Sequence, residues 1–361
     1  MSDISDIAKQ VPLPWQVDQW QQLLAQKSKN QLAHAYLFAG SAGLGKRLFA
    51  EQFARYLLCS NPESNTACNS CNNCILGKDG SHPDLLQLEP EDGARDIKID
   101  QIRTLSDFVV RTSHSGGARI AIVDRAHQMN VNAANALLKT LEEPTDATYL
   151  ILLSDSPGSL SATIRSRCQR LKFSIPSLDL ASDWLIQTLR TQQGNDPDAD
   201  PIKLLAASNN RPLFALELVG NGGMETRQDY INSLCDLQLG KQTIQAVLNL
   251  SLKIGESAAI GHFLTASTIL MKSLISDVQR PESVDSNDAA LNELPSQLLA
   301  LKQAITASSG SPKASLHHLM GFYQEVLLAK RQLLSSSNPN PQLIMESLLW
   351  QWKQLPLGST S

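Results

Sequence analysis

Residues 32–49 read LAHAYLFAGSAGLGKRLF. An apolar run enters a loop of glycines, and LFAEQFARYLL (48–58) follows with apolar residues at helical spacing. Strand, glycine loop and helix in that order are the context in which a glycine motif becomes evidence for a phosphate cradle. Gly40, Gly43, Gly45 and Lys46 stand on the required spacing. Glycines let phosphate oxygens approach backbone N–H groups, and the following helix N-terminus favours negative charge. Lys46 could reach the outer phosphates, but the next position should carry a serine or threonine hydroxyl for the magnesium shell. Arg47 stands there instead. A guanidinium cannot ligate a cation.

Two further runs belong to the same layer. ARIAIVDRAH (118–127) and YLILLSD (149–155) are near-continuous apolar segments, which suits parallel strands covered by helices on both faces. NVNAANALLKTLEEP (130–144) lies between them with helical spacing and a proline stop. An α/β layer with ligand groups at the strand ends is the expected fold. Asp124 occupies such an end, where a carboxylate that coordinates magnesium belongs. The acid that would polarise the attacking water is replaced by Arg125. With two roles of phosphoryl transfer missing, no appreciable ATP hydrolysis by this chain is expected. Two alternatives stay open: ATP or ADP held through Lys46 without turnover, or a glycine turn serving only strand-to-helix geometry.

The cysteines are the second constraint. Cys59, Cys68, Cys71 and Cys74 form a C-x8-C-x2-C-x2-C cluster with turn-forming Asn, Ser and Pro between them. Four thiolates that close a tetrahedron are the pattern of a structural zinc. An iron–sulfur cluster fits less well, because no further cysteine lies just downstream and no proline follows Cys74. The loop has little apolar mass, so its order is expected to depend on the ion. Cys168 and Cys235 stand alone and read as small buried side chains.

Beyond KFSIP (172–176) the strand character fades. LASDWLIQTLRTQ (180–192) and DPIKLLAASNNRPLFALELV (200–219) read as a small helical domain, and NGGMET (221–226) as a linker. Four later segments, starting at Lys241, Gly261, Leu316 and Pro341, read as packed helices, with QRPESVDSNDAALNE (279–293) as a loop between two of them. The resulting division is 1–174, with the zinc module at 59–74, then 175–222 and 223–361. A net charge of −4 argues against a nucleic-acid-coating protein. Lys98, Arg103, Arg111 and Arg119 could line a local basic surface or be scattered solvated charge. No apolar run approaches bilayer length and the start lacks a secretory pattern, so a cytoplasmic protein with no membrane partner is expected. SLSATIRSRCQRLKF (159–173) carries Arg165, Arg167 and Arg170. The bland reading is a solvated basic turn. Arg167 also sits where an arginine could reach a neighbour's γ-phosphate.

Several of these segments converge. The cysteine module after the glycine-loop helix, HPDLLQLEP (82–90), NAANALLKTLEEP (132–144), SATIRSRC (161–168) and PLPWQ (12–16) together resemble the delta-prime family of the bacterial DNA polymerase III clamp loader, in its gammaproteobacterial type. The likeness covers residues 10 to 220 well and the last third only as a helical region. It implies a RecA-like AAA+ P-loop domain with an inserted zinc module, a small helical lid and an all-helical collar. It also implies a hetero-pentamer with gamma/tau and delta subunits, a sliding clamp, and primed DNA touched weakly through its backbone. In that family the subunit is a non-hydrolysing stator whose SRC arginine, here Arg167, serves the adjacent gamma/tau ATPase. Ser154 corresponds approximately to sensor 1, and Leu213 lies where active members carry an arginine. The alternative is a gamma/tau-type motor, which shares the zinc module but needs GKT or GKS and an aspartate–glutamate pair. A holoenzyme label of DNA-directed DNA polymerase, a nucleotidyltransferase, would describe the assembly, since nothing here resembles a polymerase site.

Overall fold

A computed structural model of the chain describes residues 7, 11–91, 94, 96–114, 117–191, 200–220, 223–279, 298–303, 311–333 and 340–355. The chain divides into two compact units, Met1–Asn221 and Gly222–Ser361. The first is built on strands β1 (Ala35–Ala39), β2 (Leu85–Leu88), β3 (Arg119–Val123), β4 (Thr148–Ser154) and β5 (Gln169–Lys172). They pair in parallel in the order β2-β3-β4-β1-β5. Every residue of β1 and β3 is buried, as near-continuous apolar runs require when helices cover both faces. Ala39 is in register with Ser154 on one side and Lys172 on the other. The carboxyl ends of β1, β4 and β5 therefore meet at one level, and the glycine loop starts there.

The flanking helices are α1 (Val17–Ser28), α2 (Lys46–Leu58), α3 (Asn72–Lys78), α4 (Ile99–Val110), α5 (Val131–Glu142) and α6 (Ala162–Arg167). Each buries part of its surface, and side-chain caps open α5 and α6. Asn130 opens α5 by accepting a 2.8 Å hydrogen bond from the Ala133 N–H, and Ala133, Leu137 and Leu141 then bury one face at i, i+4, i+8. Phe49 of α2 is fully buried among Trp20, Phe38 and Phe173, with ring centroids 5.3, 5.6 and 5.1 Å away. This aromatic cluster fastens α2 to α1 and the sheet. Helices α7 (Leu178–Thr191), α8 (Pro201–Ser208) and α9 (Pro212–Gly220) complete the first unit.

The structure adds two strands to the three that apolar runs marked. LLQL and QRLK are the outermost strands of the sheet and mix polar with apolar residues, so they lack a continuous apolar signal. Residues 200–219, read as part of a small helical domain, hold two helices. Asn209 and Asn210, at φ 53° and 55°, break the chain in the left-handed region that asparagine tolerates.

The second unit comprises α10 (Gly223–Gln238), α11 (Ile244–Ile254), α12 (Glu256–Gln279), α13 (Pro312–Leu333) and α14 (Pro341–Lys353), with residues 298–303 also helical. Its core centres on Tyr230, Phe263, Phe322 and Trp352. The Trp352 indole donates to the Leu234 carbonyl at 2.8 Å, and the Tyr230 and Ser251 hydroxyls meet at 2.7 Å, so these buried polar groups are satisfied. Residues 223–226 are the first turn of α10 and not the expected linker, whose other two residues lie outside the described ones. The expected loop at 279–293 also lies outside them, apart from Gln279, which ends α12. Contrary to the sequence reading, Ala258–Ser276 of α12 is long and apolar enough to cross a membrane, by length and composition alone. Its buried positions Ala259, Ile260, Phe263, Ala266, Leu270 and Leu274 are part of the unit's own core.

Phe49→Ala empties a fully enclosed site beneath the glycine loop. It should cost about 3–5 kcal/mol of stability in the first unit, read from denaturant unfolding.

Candidate nucleotide and metal sites

The glycine loop runs from the end of β1 into α2, as the motif requires. The Gly40 N–H donates to the Ser154 carbonyl at 3.2 Å, which ties the loop to β4. Gly43 and Gly45 have φ of 78° and 79°. Side chains at these positions would collide with protein groups: a Cβ on Gly43 would lie 2.8 Å from Phe214 Cβ, and one on Gly45 2.8 Å from Gln16 Nε2. Here the glycines admit neighbouring parts of the chain. Leu213 donates its N–H to the Gly43 carbonyl at 3.3 Å, so α9 closes on the loop through its backbone. The Leu44 carbonyl accepts from Trp15 Nε1 at 3.0 Å and Gln16 Nε2 at 2.8 Å. Trp15 in turn packs edge-on against Trp184 of α7, at 5.1 Å between centroids. The early PLPWQ segment is thus a clasp between the loop and α7.

Two side chains at the start of α2 carry the electrostatics. Lys46 is 6% exposed, and its ammonium lies 2.5 Å from Asp155 Oδ1 and 2.8 Å from the Ser41 carbonyl. Arg47 spreads its guanidinium over three carboxylates. Nε donates to Glu51 at 3.0 Å, and Nη1 lies 2.7 Å from Glu89 and 3.4 Å from Asp124. Burial works against its charge, but the bonds to Glu51 and Glu89 outweigh it and hold Arg47 more firmly protonated than usual. Asp124 also accepts from the Arg125 N–H at 2.8 Å, while the Arg125 side chain is exposed. Ser154 is buried, with its hydroxyl 3.4 Å from His127 Nδ1. Burial depresses the His127 pKa, against the pull of Asp155 and Asp124.

The four clustered cysteines come together as the spacing predicts. Cys59 ends α2, Cys71 caps α3, Cys74 lies one turn into it, and Cys68 sits in the loop between. Their sulfurs all lie within 4.8 Å of one another, a group that could hold a metal ion. Hydrogen bonds from Ser70 and from the Cys71 N–H bring the Cys68 thiol down to about 6, the direction that favours a ligating thiolate. Trp20 Nε1 donates to the Asn65 carbonyl at 3.3 Å, which pins the loop to α1. Cys168 and Cys235 are buried in the apolar cores of their own units, and burial pushes each thiol up to about 12.

Arg167 closes α6, just before β5. β5 runs parallel to β1 and reaches the glycine-loop level only at Lys172. At about 3.3 Å per residue, Arg167 lies on the order of 15 Å from its own loop level, at the amino end of the sheet. One guanidinium nitrogen donates to the Thr163 carbonyl at 3.2 Å and another is 2.7 Å from Glu142 at the end of α5. Of the two readings left open for Lys98, Arg103, Arg111 and Arg119, scattered charge fits three of them better than a shared basic surface, and Arg119 is buried rather than solvated. Arg119 is 4% exposed beside the buried Asp84, and Lys98 and Arg103 pair with Glu91 and Asp100 at 2.9 and 2.8 Å. Of the four, Arg111 remains as an exposed cation without a described ion pair.

Comparison with known proteins settles the family. Models of DNA polymerase III, delta subunit, match residues 15–177, and of its C-terminal part, residues 222–354. The DNA polymerase III subunit delta' of Pseudomonas aeruginosa is 36% identical over 346 residues, 95% of this chain and 98% of that one. This chain belongs to the delta' family of clamp-loader subunits. The Yersinia pestis delta' subunit is 28% identical over 94% of the chain and 95% of its own length. A tau/gamma subunit of Haemophilus influenzae is 34% identical over 58% of the chain, but over 30% of its own length.

In this delta' family member, sequence reasoning missed Asp155, Glu89, His127 and Glu142. A weak signal existed for two of them: Glu89 and Asp155 directly follow β2 and β4, as Asp124 follows β3. Their partners depended on geometry. If Arg47 stands in for a cation, Arg47→Ala should leave Asp124 and Glu89 facing each other without a counter-charge. Its Tm should fall by about 2–4 °C, the effect of ~1 kcal/mol, and millimolar magnesium should restore it in the variant without affecting the parent chain.

Proposed function

We propose that this chain is a non-hydrolysing delta' subunit. It works with gamma/tau and delta subunits to place a sliding clamp on primed DNA, and it lends Arg167 to the ATP site of an adjacent gamma/tau subunit. One observation carries the reading: the Arg47 guanidinium stands where the magnesium-holding hydroxyl belongs and lies 3.4 Å from Asp124, the strand-end carboxylate of the magnesium shell, while it also pairs with Glu89 and Glu51. A motor of the gamma/tau type requires that place to be free. The separation of Arg167 from its own loop supports a role in trans, because a guanidinium at the amino end of the sheet cannot serve a phosphate at the carboxyl end.

The cysteine group supports a structural zinc. Tetrahedral zinc at about 2.3 Å from each sulfur needs sulfurs about 3.8 Å apart. The Cys59–Cys68, Cys59–Cys71 and Cys68–Cys74 separations are 3.5, 3.9 and 3.9 Å. All four ligands come from the chain, so no position is left for catalytic water. Apart from the sulfurs, Ala67 is the buried apolar residue of this cluster, so the ion would supply most of the local order.

Arg167→Ala should assemble normally with gamma/tau and delta but lower turnover at the adjacent site by about 10³-fold, seen as loss of that site's share of the DNA-stimulated ATPase. An unchanged rate sinks the arginine assignment. The isolated chain should release no phosphate from ATP. Chelation should release one zinc per chain and speed amide exchange over residues 59–78 while β1, β3 and β4 stay protected.

A further inference from the structure

The Lys46–Asp155 contact is not needed for an empty turn. Lys46 is 6% exposed, and a buried ammonium needs a counter-charge within reach. The chain brings Asp155 to 2.5 Å of Nζ from the residue just past β4. Arg211, whose guanidinium lies over the Phe214 ring at 4.7 Å, and His127 add further electrostatic interactions with Asp155. Beside this pair Arg47 supplies positive charge to Asp124 and Glu89. On the other side Leu213, Phe214, Trp15 and Gln16 hold the loop's backbone.

We infer that the P-loop is ligated from within: the Asp155 carboxylate holds Lys46 in place of a polyphosphate oxygen, and the Arg47 guanidinium holds the acidic groups in place of a metal ion. Asp155 is then the residue that keeps anions out. Neutralising it uncovers a site for inorganic polyphosphate that needs no divalent cation, because Arg47 already occupies that place. The inference rests on the reading that this loop performs no turnover, but it concerns binding, so phosphate release and anion affinity fail separately.

The test is calorimetric titration of the full-length chain, Asp155→Asn and Lys46→Ala/Asp155→Asn with sodium tripolyphosphate in the presence of EDTA. Asp155→Ser replaces the asparagine variant if thermal melting shows that Asp155→Asn has lost its fold. Tripolyphosphate should bind the Asp155 variant at least tenfold more tightly than the parent chain, and the double variant should lose that gain. The inference is overturned if parent and variant bind equally, if a folded Asp155 variant binds no tighter than the double variant, or if binding appears only when magnesium is added. ATP turnover by the parent chain would instead remove the non-hydrolysing reading and leave the affinity comparison standing.

Discussion

Three carboxylates from separate parts of the first unit converge on one guanidinium. Glu51 comes from α2, Glu89 from the end of β2 and Asp124 from the end of β3, and Arg47 meets all three. Without a cation, acids crowded at neighbouring strand ends would repel one another. A divalent ion normally solves that problem and brings reactivity with it. A guanidinium solves it permanently. Its charge does not depend on metal supply, and its fixed fork gives the strand ends a lasting partner.

How much of this was legible in the sequence follows the range of the forces involved. The glycine loop, the strands after it and the cysteine spacing are local patterns, and short stretches carry them fully. The missing hydroxyl at Arg47 and the missing acid at Arg125 were also visible one residue at a time. What the guanidinium does was not visible, because Glu89 is 42 residues from it and Asp124 is 77. The same holds for Asp155, which is 109 residues from Lys46. β2 and β5 escaped because outer strands of this sheet can be part polar. The burial of Arg119 was hidden for a related reason: charge counted along the chain does not reveal which side chains turn inward.

The second unit and the cysteine loop rest on different kinds of order. The unit is held by interlocking aromatic and aliphatic side chains around Trp352 and Phe263, so its helices need only one another. The apolar length of α12, which by composition alone would suit a bilayer, is explained by that enclosure. The cysteine loop has no such mass. Its sulfurs are poised by α2 and α3, and a hard geometric centre would substitute for a core that a stretch of Asn, Ser and Pro cannot build.

The placement of Arg167 at the amino end of the sheet gives the subunit a direction. In the proposed role its giving face and its own loop point to different neighbours, and only one of those faces carries chemistry. A closed ring in which every member lends a group to the next needs no starting point, but a member that gives without receiving creates one. The unevenness of its two faces would then mark where the chain of exchanges starts.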